Sequence, residues 1–176
     1  IQILWINLVT DGVQDKMFPF CKEETNVMNR LPRRPEKLFF DRYQMARILY
    51  FGLVMGLTNT LLYIHLLNVY EYAIANSIIF TSSVVAQWFN GIQAQKEREP
   101  FFMNIKKSLT INPYIFLGIL IGLVLQLIAL YVIPDWFKTV PLPLEGWLYV
   151  LSVGLICFFA VEIWKWVEYF ISKIRR

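Results

Sequence analysis

Five oxygen-bearing side chains, Asn7, Thr10, Asp11, Gln14 and Asp15, fall inside or at the edge of one apolar run. On a helix Asn7, Asp11 and Asp15 recur at i, i+4 and i+8 and share a face, with Thr10 and Gln14 beside them. Carboxylate, amide and hydroxyl oxygens in one stripe are the donors that a hard cation takes. A charge at the centre of a bilayer costs at least about 2.5–3.5 kcal/mol, so an ionisable residue there marks function. Gly12, directly after Asp11, weakens the helix and predicts backbone carbonyls freed to act as further donors.

The elements that must carry these residues are membrane helices. The chain has 176 residues, of which 57% are hydrophobic, 16% aromatic and only 17% charged. Ordinary soluble domains run near 45–50% apolar and about 25% charged. The apolar excess is gathered in long runs, which predicts an all-α, polytopic membrane helix bundle. It comprises one partial and four full transmembrane helices. Residues 1–15 read as half of a span. Residues 16–43 read as a polar loop, in which Pro19, Pro32 and Pro35 forbid a continuous helix. Full spans are expected at 44–67, 73–94, 113–133 and 144–171, which together make a four-helix region over 44–176. The first has 24 residues and, at about 1.5 Å per residue, covers a hydrocarbon core of roughly 30 Å. The span at 73–94 is the most polar, with Asn76, Ser77, Thr81, Ser82, Ser83, Gln87 and Asn90. No secretory signal is visible, and the chain opens without Met inside an apolar helix. It therefore reads as a piece of a longer polypeptide.

Charge orients the bundle. If the spans alternate, sixteen of the seventeen Lys and Arg residues fall on one side, and only Lys138 falls on the other. The positive-inside rule makes that side cytoplasmic, so loop 16–43, loop 95–112 and the C-terminus face the cytoplasm. Trp136, Trp147, Trp164 and Trp166 stand near the span ends, as an interfacial aromatic belt requires.

Trp5-Ile-Asn-Leu-Val-Thr-Asp-Gly12 closely resembles the sixth transmembrane helix of calcium-pump-like P-type cation-transporting ATPases. Met28-Asn-Arg-Leu-Pro-Arg-Arg-Pro35 resembles that family's loop after the sixth helix, and the rest of the chain looks like helices seven to ten, with Gln87-Trp-Phe-Asn90 in the eighth. The resemblance implies the C-terminal membrane portion of an ATP-driven cation pump. It implies Asn7, Thr10 and Asp11 as cation ligands. Gln87 stands where an acid or amide of the eighth helix helps complete a site. A neutral Gln87 lowers the negative charge and favours one divalent ion over two, or a less charge-demanding ion. The implied cargo is Ca²⁺ first, with Mn²⁺, Na⁺ or H⁺ as alternatives. Mg-ATP would serve only the full-length parent, because this chain has no Asp-Lys-Thr-Gly motif and no Gly-rich phosphate loop. Its implied partners are the remaining helices and cytoplasmic domains of the same pump, and the lipid bilayer. The run Gln14-Asp-Lys-Met-Phe-Pro-Phe-Cys21 departs from the family, with Lys16 and Met17 replacing small residues. Asp15 reads either as an entry-path acid or as a partner of Lys16.

Other features take structural readings. Gly52 with Gly56, and Gly118 with Gly122, are pairs four apart that let helix backbones approach. By the resemblance, the first pair would meet the pump's fifth helix. His65 has no second histidine or cysteine beside it and reads as an interfacial hydrogen-bonding residue. Glu162 and Lys165, at i and i+3, are placed to pair. Cys21 and Cys157 imply neither a disulfide nor a metal site. The basic stretch Arg30 to Lys37 suits anionic lipid headgroups or the pump's own phosphorylation domain, rather than nucleic acid. The competing reading of the whole is a non-catalytic membrane scaffold or accessory subunit.

Overall fold

A computed structural model describes residues 1–22 and 42–174; its regular elements are all helices, with no strand among the described residues. The Met28–Pro35 motif, the basic stretch Arg30 to Lys37 and the terminal Arg175-Arg176 lie outside the described residues. Helix α1, Gln2–Val9, opens the chain. It runs on through a π-helical turn at Thr10–Gln14 into a 3-10 stretch at Asp15–Phe20. Helix α2 spans Arg42–Val69 and α3 spans Tyr72–Ala94. A short 3-10 turn and α4, Ile105–Thr110, lead to α5, Tyr114–Leu127, which ends in a second π turn at Ile128–Val132. The short α6, Pro134–Phe137, precedes α7, Leu144–Ile174.

Three helical stretches, Tyr43–Val69, Tyr114–Val132 and Leu144–Ile174, are long and apolar enough to cross a membrane. The span expected at 73–94 is long enough as α3, but it is not apolar enough to stand among them. The packing supplies the physical reason. Helix α3 is the hub of the bundle: it lies along α7 and also meets α2, α1 and α5. Ala75, Ser77, Ile78, Thr81, Ser82, Val84 and Ala86 are all buried on it. A helix shielded from lipid can carry polar groups, provided that each finds a partner.

Those partners form a ladder across the bundle. The Ser77 hydroxyl donates to the Ala73 carbonyl at 2.8 Å and accepts from the Val140 N–H at 2.9 Å. The Gln126 amide donates to the Thr81 hydroxyl at 3.2 Å, and its oxygen accepts from the Trp5 indole at 3.2 Å. Ser82 donates to Asn59 Oδ1 at 2.6 Å. Helices α1, α2, α3 and α5 and the 134–143 loop are thus tied together at depth. Each such bond in a membrane interior contributes about 0.6–2 kcal/mol.

Helix α2 is the opposite case. Leu49, Leu53, Leu57 and Leu61 are exposed along it, and a Cβ at Gly52 or Gly56 would meet nothing within 4 Å among the described residues. Exposed apolar side chains on a helix of this length and composition are what a membrane span presents to its surroundings.

Candidate cation site

The chain from Thr10 to Gln14 leaves α-helical bonding. The Thr10 N–H is shared between the Asn7 and Ile6 carbonyls, and the Asp15 N–H reaches back five residues to the Thr10 carbonyl. Such π turns occur as single insertions in helices and cluster at functional sites. Gly12, with no Cβ, sits in the middle of this one. The wider turn is followed at once by the tighter 3-10 stretch containing Pro19, whose missing N–H cannot continue an α-helix.

The change of period sorts the polar stripe into two sides. Thr10 and Gln14 turn inward and are 1% and 2% exposed. Asn7, Asp11 and Asp15 stay exposed. The Thr10 hydroxyl lies 2.8 Å from the Ile6 carbonyl and 3.3 Å from Asp11 Oδ1, and it donates to one of them at a time. Its lone pairs are left on the oxygen for a further ligand.

Thr10, Asp11, Gln14 and Asp15 then face Gln87, Asn90 and Gly91 of α3 across a cavity of about 440 Å³. Phe18, Phe51 and Met55 supply its apolar wall. The structure therefore brings Thr10, Asp11, Asp15 and Gln87 together. It leaves Asn7 outside the cavity lining, on the exposed side of α1. Asn90 and Gln14 also line the cavity. Asn90 follows Gln87 by three residues, so both fall on one helix face. Gln14 had a visible signal, its place between Asp11 and Asp15, but nothing in the local pattern says that it turns inward. The two carboxylates repel one another and Lys16 opposes that repulsion. Two carboxylates, the Gln87 and Asn90 amides and the Thr10 hydroxyl around an open space make a set of oxygen donors for a cation. Among the described residues no group of three or more His, Cys, Asp or Glu side chains is placed to hold a metal, so amide and hydroxyl oxygens must complete any coordination here.

The remaining polar features lie elsewhere. Gly118 and Gly122 are buried on α5. A Cβ at Gly118 would lie 2.9 Å from Met17 Cγ, and one at Gly122 would lie 2.9 Å from the Trp88 ring. His65 is exposed, with its ring 6.0 Å from that of Tyr149. Cys21 and Cys157 are both free. At the other end of α7, Glu162 is 3% exposed and is enclosed by donors. The Phe101 N–H and Gln93 Nε2 donate to its Oε2 at 2.8 and 3.0 Å. The Phe102 N–H and Trp166 Nε1 donate to its Oε1 at 3.0 and 2.9 Å. Lys165, 1% exposed, donates to the Gln93 carbonyl at 2.7 Å. Both residues therefore bind the end of α3 and the loop after it to α7.

The family model described as the C-terminus of cation-transporting ATPases matches residues 1–167. A calcium-transporting ATPase of Bacillus subtilis is 30% identical over 160 residues, covering 89% of this chain and 18% of the relative. An endoplasmic reticulum-type calcium-transporting ATPase of Arabidopsis thaliana is 24% identical over 199 residues, covering 96% of the chain and 20% of the relative. A plasma membrane-type enzyme from the same plant is 26% identical over 171 residues, covering 89% and 15%. The chain spans a fifth or less of the length of these relatives.

Proposed function

The chain belongs to the cation-transporting ATPase family, matching its C-terminal region, and from that premise we propose that it forms one wall of the intramembrane cation site of an ATP-driven pump. The observation that carries the proposal is the shared cavity of Asp11, Asp15, Thr10, Gln87 and Asn90, at a π turn in a helix. Calcium is the favoured cargo. It takes six to eight oxygen ligands in flexible geometry, which suits a mixed set of carboxylates, amides and a hydroxyl. The relatives named above are calcium-transporting ATPases, which supports the same cargo.

In this reading Asp11 supplies the charged ligand, and Thr10 and Gln87 supply neutral oxygens. Asn7 contributes from the exposed side of α1, where helices of the parent protein outside this chain would close the site. Asp15, at the cavity edge, meets the ion on entry. Gly52 and Gly56 offer a flat strip of α2 to another pump helix. Residues 16–43, 95–112 and the C-terminus lie on the cytoplasmic side, where the parent's phosphorylation and nucleotide-binding domains would sit. Hydrolysis of Mg-ATP belongs to those domains. This chain supplies ligands and the packed helices that hold them.

The test is ATP hydrolysis by the full-length parent, purified into lipid and assayed across Ca²⁺, Mn²⁺, Na⁺ and pH, with Asp11→Asn beside it. Stimulation by one ion, lost in the mutant, is the expected outcome. Stimulation indifferent to the substitution would remove Asp11 from the site. A parent that hydrolyses no ATP would favour the scaffold reading.

A further inference from the structure

We infer that Gln14 is a positioning residue for the cation site, its side chain locked into a notch that Gly91 leaves open and its backbone packed on Gly118, and that it sets the distance between the Asp11/Asp15 wall and the Gln87/Asn90 wall. This inference rests on the cation-site reading above and deepens it.

Gln14 is nearly fully buried, and its amide nitrogen donates to the Trp88 carbonyl of α3 at 3.0 Å. Trp88 directly follows Gln87 in the chain, so the bond ties the π turn to the backbone beside a proposed ligand. Gln14 itself lies between Asp11 and Asp15, so the same bond holds the backbone carrying both carboxylates.

The side chain fits only because Gly91 lacks a Cβ. A Cβ at Gly91 would lie 2.6 Å from Gln14 Cδ and 2.8 Å from its Oε1. Real Cβ atoms do not approach so closely, and the amide group would have to leave. On the other side, a Cβ at Gly118 of α5 would lie 3.3 Å from Gln14 Cα and 3.7 Å from the Val13 carbonyl oxygen. The π turn is therefore seated between α3 and α5. Its continuation is held in place as well: Asn112 Nδ2 donates to the Met17 carbonyl at 2.8 Å, and the Lys22 N–H to the Ile111 carbonyl at 3.0 Å. The 3-10 stretch is thus anchored by its own bonds, and Gln14 is the side chain that anchors the site-bearing turn to α3.

Ion affinity depends on how well ligands are pre-arranged, because a site that must first reorganise spends part of its binding free energy on doing so. Removing the Gln14 bond leaves every proposed ligand present and lets one wall drift from the other.

The experiment uses the full-length pump in lipid. Gln14→Met keeps length and volume and removes the amide; Gly91→Ala keeps Gln14 and fills its slot. The Ca²⁺ concentration for half-maximal ATP hydrolysis, the maximal rate and the melting temperature are measured for each. The expected result in both variants is a rise of about tenfold in that Ca²⁺ concentration, with the maximal rate at saturating Ca²⁺ within about twofold of wild type. A half-maximal concentration unchanged in both, whatever happens to melting, overturns the inference. So does failure of both to fold, which would make Gln14 a packing residue alone. A wild-type pump that no cation stimulates would instead refute the cation-site reading. Stimulation that depends on Asp11 but not on Gln14 or Gly91 refutes only this inference.

Discussion

Glu162 and Asp11 are both carboxylates within apolar helical segments, and their surroundings are opposite. Glu162 is closed in, with both oxygens taken by N–H donors from Phe101, Phe102, Gln93 and Trp166. Asp11 is exposed, and its contact with a side chain is the Thr10 hydroxyl at 3.3 Å. Across the cavity from it, Gln87 and Asn90 receive no side-chain hydrogen bond among the described residues. A buried carboxylate whose lone pairs are all used is a fastener, because nothing is left to offer a ligand. A carboxylate that shares a cavity with unspent amide oxygens has capacity to bind. We propose that the same residue type does two jobs in one bundle, told apart by how many N–H donors each carboxylate already accepts from.

The sharpest way to break this contrast is Asp11→Asn. Removing the charge is expected to weaken Ca²⁺ stimulation of the full-length pump by about a hundredfold or more, near 3 kcal/mol, with little change in melting temperature. Ion titration of ATP hydrolysis beside thermal unfolding checks both halves of that statement. Glu162→Gln should do the reverse. The amide replaces one oxygen with a donor that faces two existing donors, and two buried N–H groups lose their acceptor. The expected cost is about 2 kcal/mol or more of stability, read in a melting experiment, with the half-maximal Ca²⁺ concentration unmoved. Gln87→Glu sharpens the comparison from the other side. A third carboxylate on the cavity raises the negative charge, and Ca²⁺ affinity tracks ligand charge. Tighter Ca²⁺ binding, by about fivefold, is expected in a titration of the same pump. The smallest effect is assigned to Gly52→Ala. Among the described residues its Cβ meets nothing within 4 Å, so the loss of about 1 kcal/mol expected in the melting of the full pump would report the docking of another helix on α2. An unchanged melting temperature would place lipid there instead.

The all-α membrane class was legible because apolar runs of span length have few other uses. The oxygen stripe was legible from spacing alone, since Asn7, Asp11 and Asp15 fall one helical turn apart. The π turn was not. Its residues, Thr-Asp-Gly-Val-Gln, carry a weak point at Gly12, but a shift from i−4 to i−5 bonding leaves no mark in composition. That shift decides which oxygens are buried and which stay exposed. It also hides the role of Gln14, whose side chain sits in a notch at Gly91 and whose backbone packs on Gly118, on helices remote in the chain. The polar content of α3 was visible, but its meaning was not: Ser77, Thr81 and Ser82 are paid for by Val140, Gln126 and Asn59, and only the packing names those partners. Glu162 and Lys165 looked like a local i, i+3 pair. The fold turns Glu162 toward four N–H groups, and the Lys165 amine reaches the Gln93 carbonyl.

The most direct test of the central claim is equilibrium binding of radiolabelled Ca²⁺ by the full-length pump in lipid, with wild type, Asp11→Asn and Glu162→Gln measured in parallel with their melting temperatures. The account predicts a crossed result. Asp11→Asn loses Ca²⁺ binding and keeps its melting temperature, and Glu162→Gln keeps Ca²⁺ binding and melts lower. Wild-type Ca²⁺ affinity in Asp11→Asn would contradict it, because the open carboxylate would then be no more a ligand than the closed one.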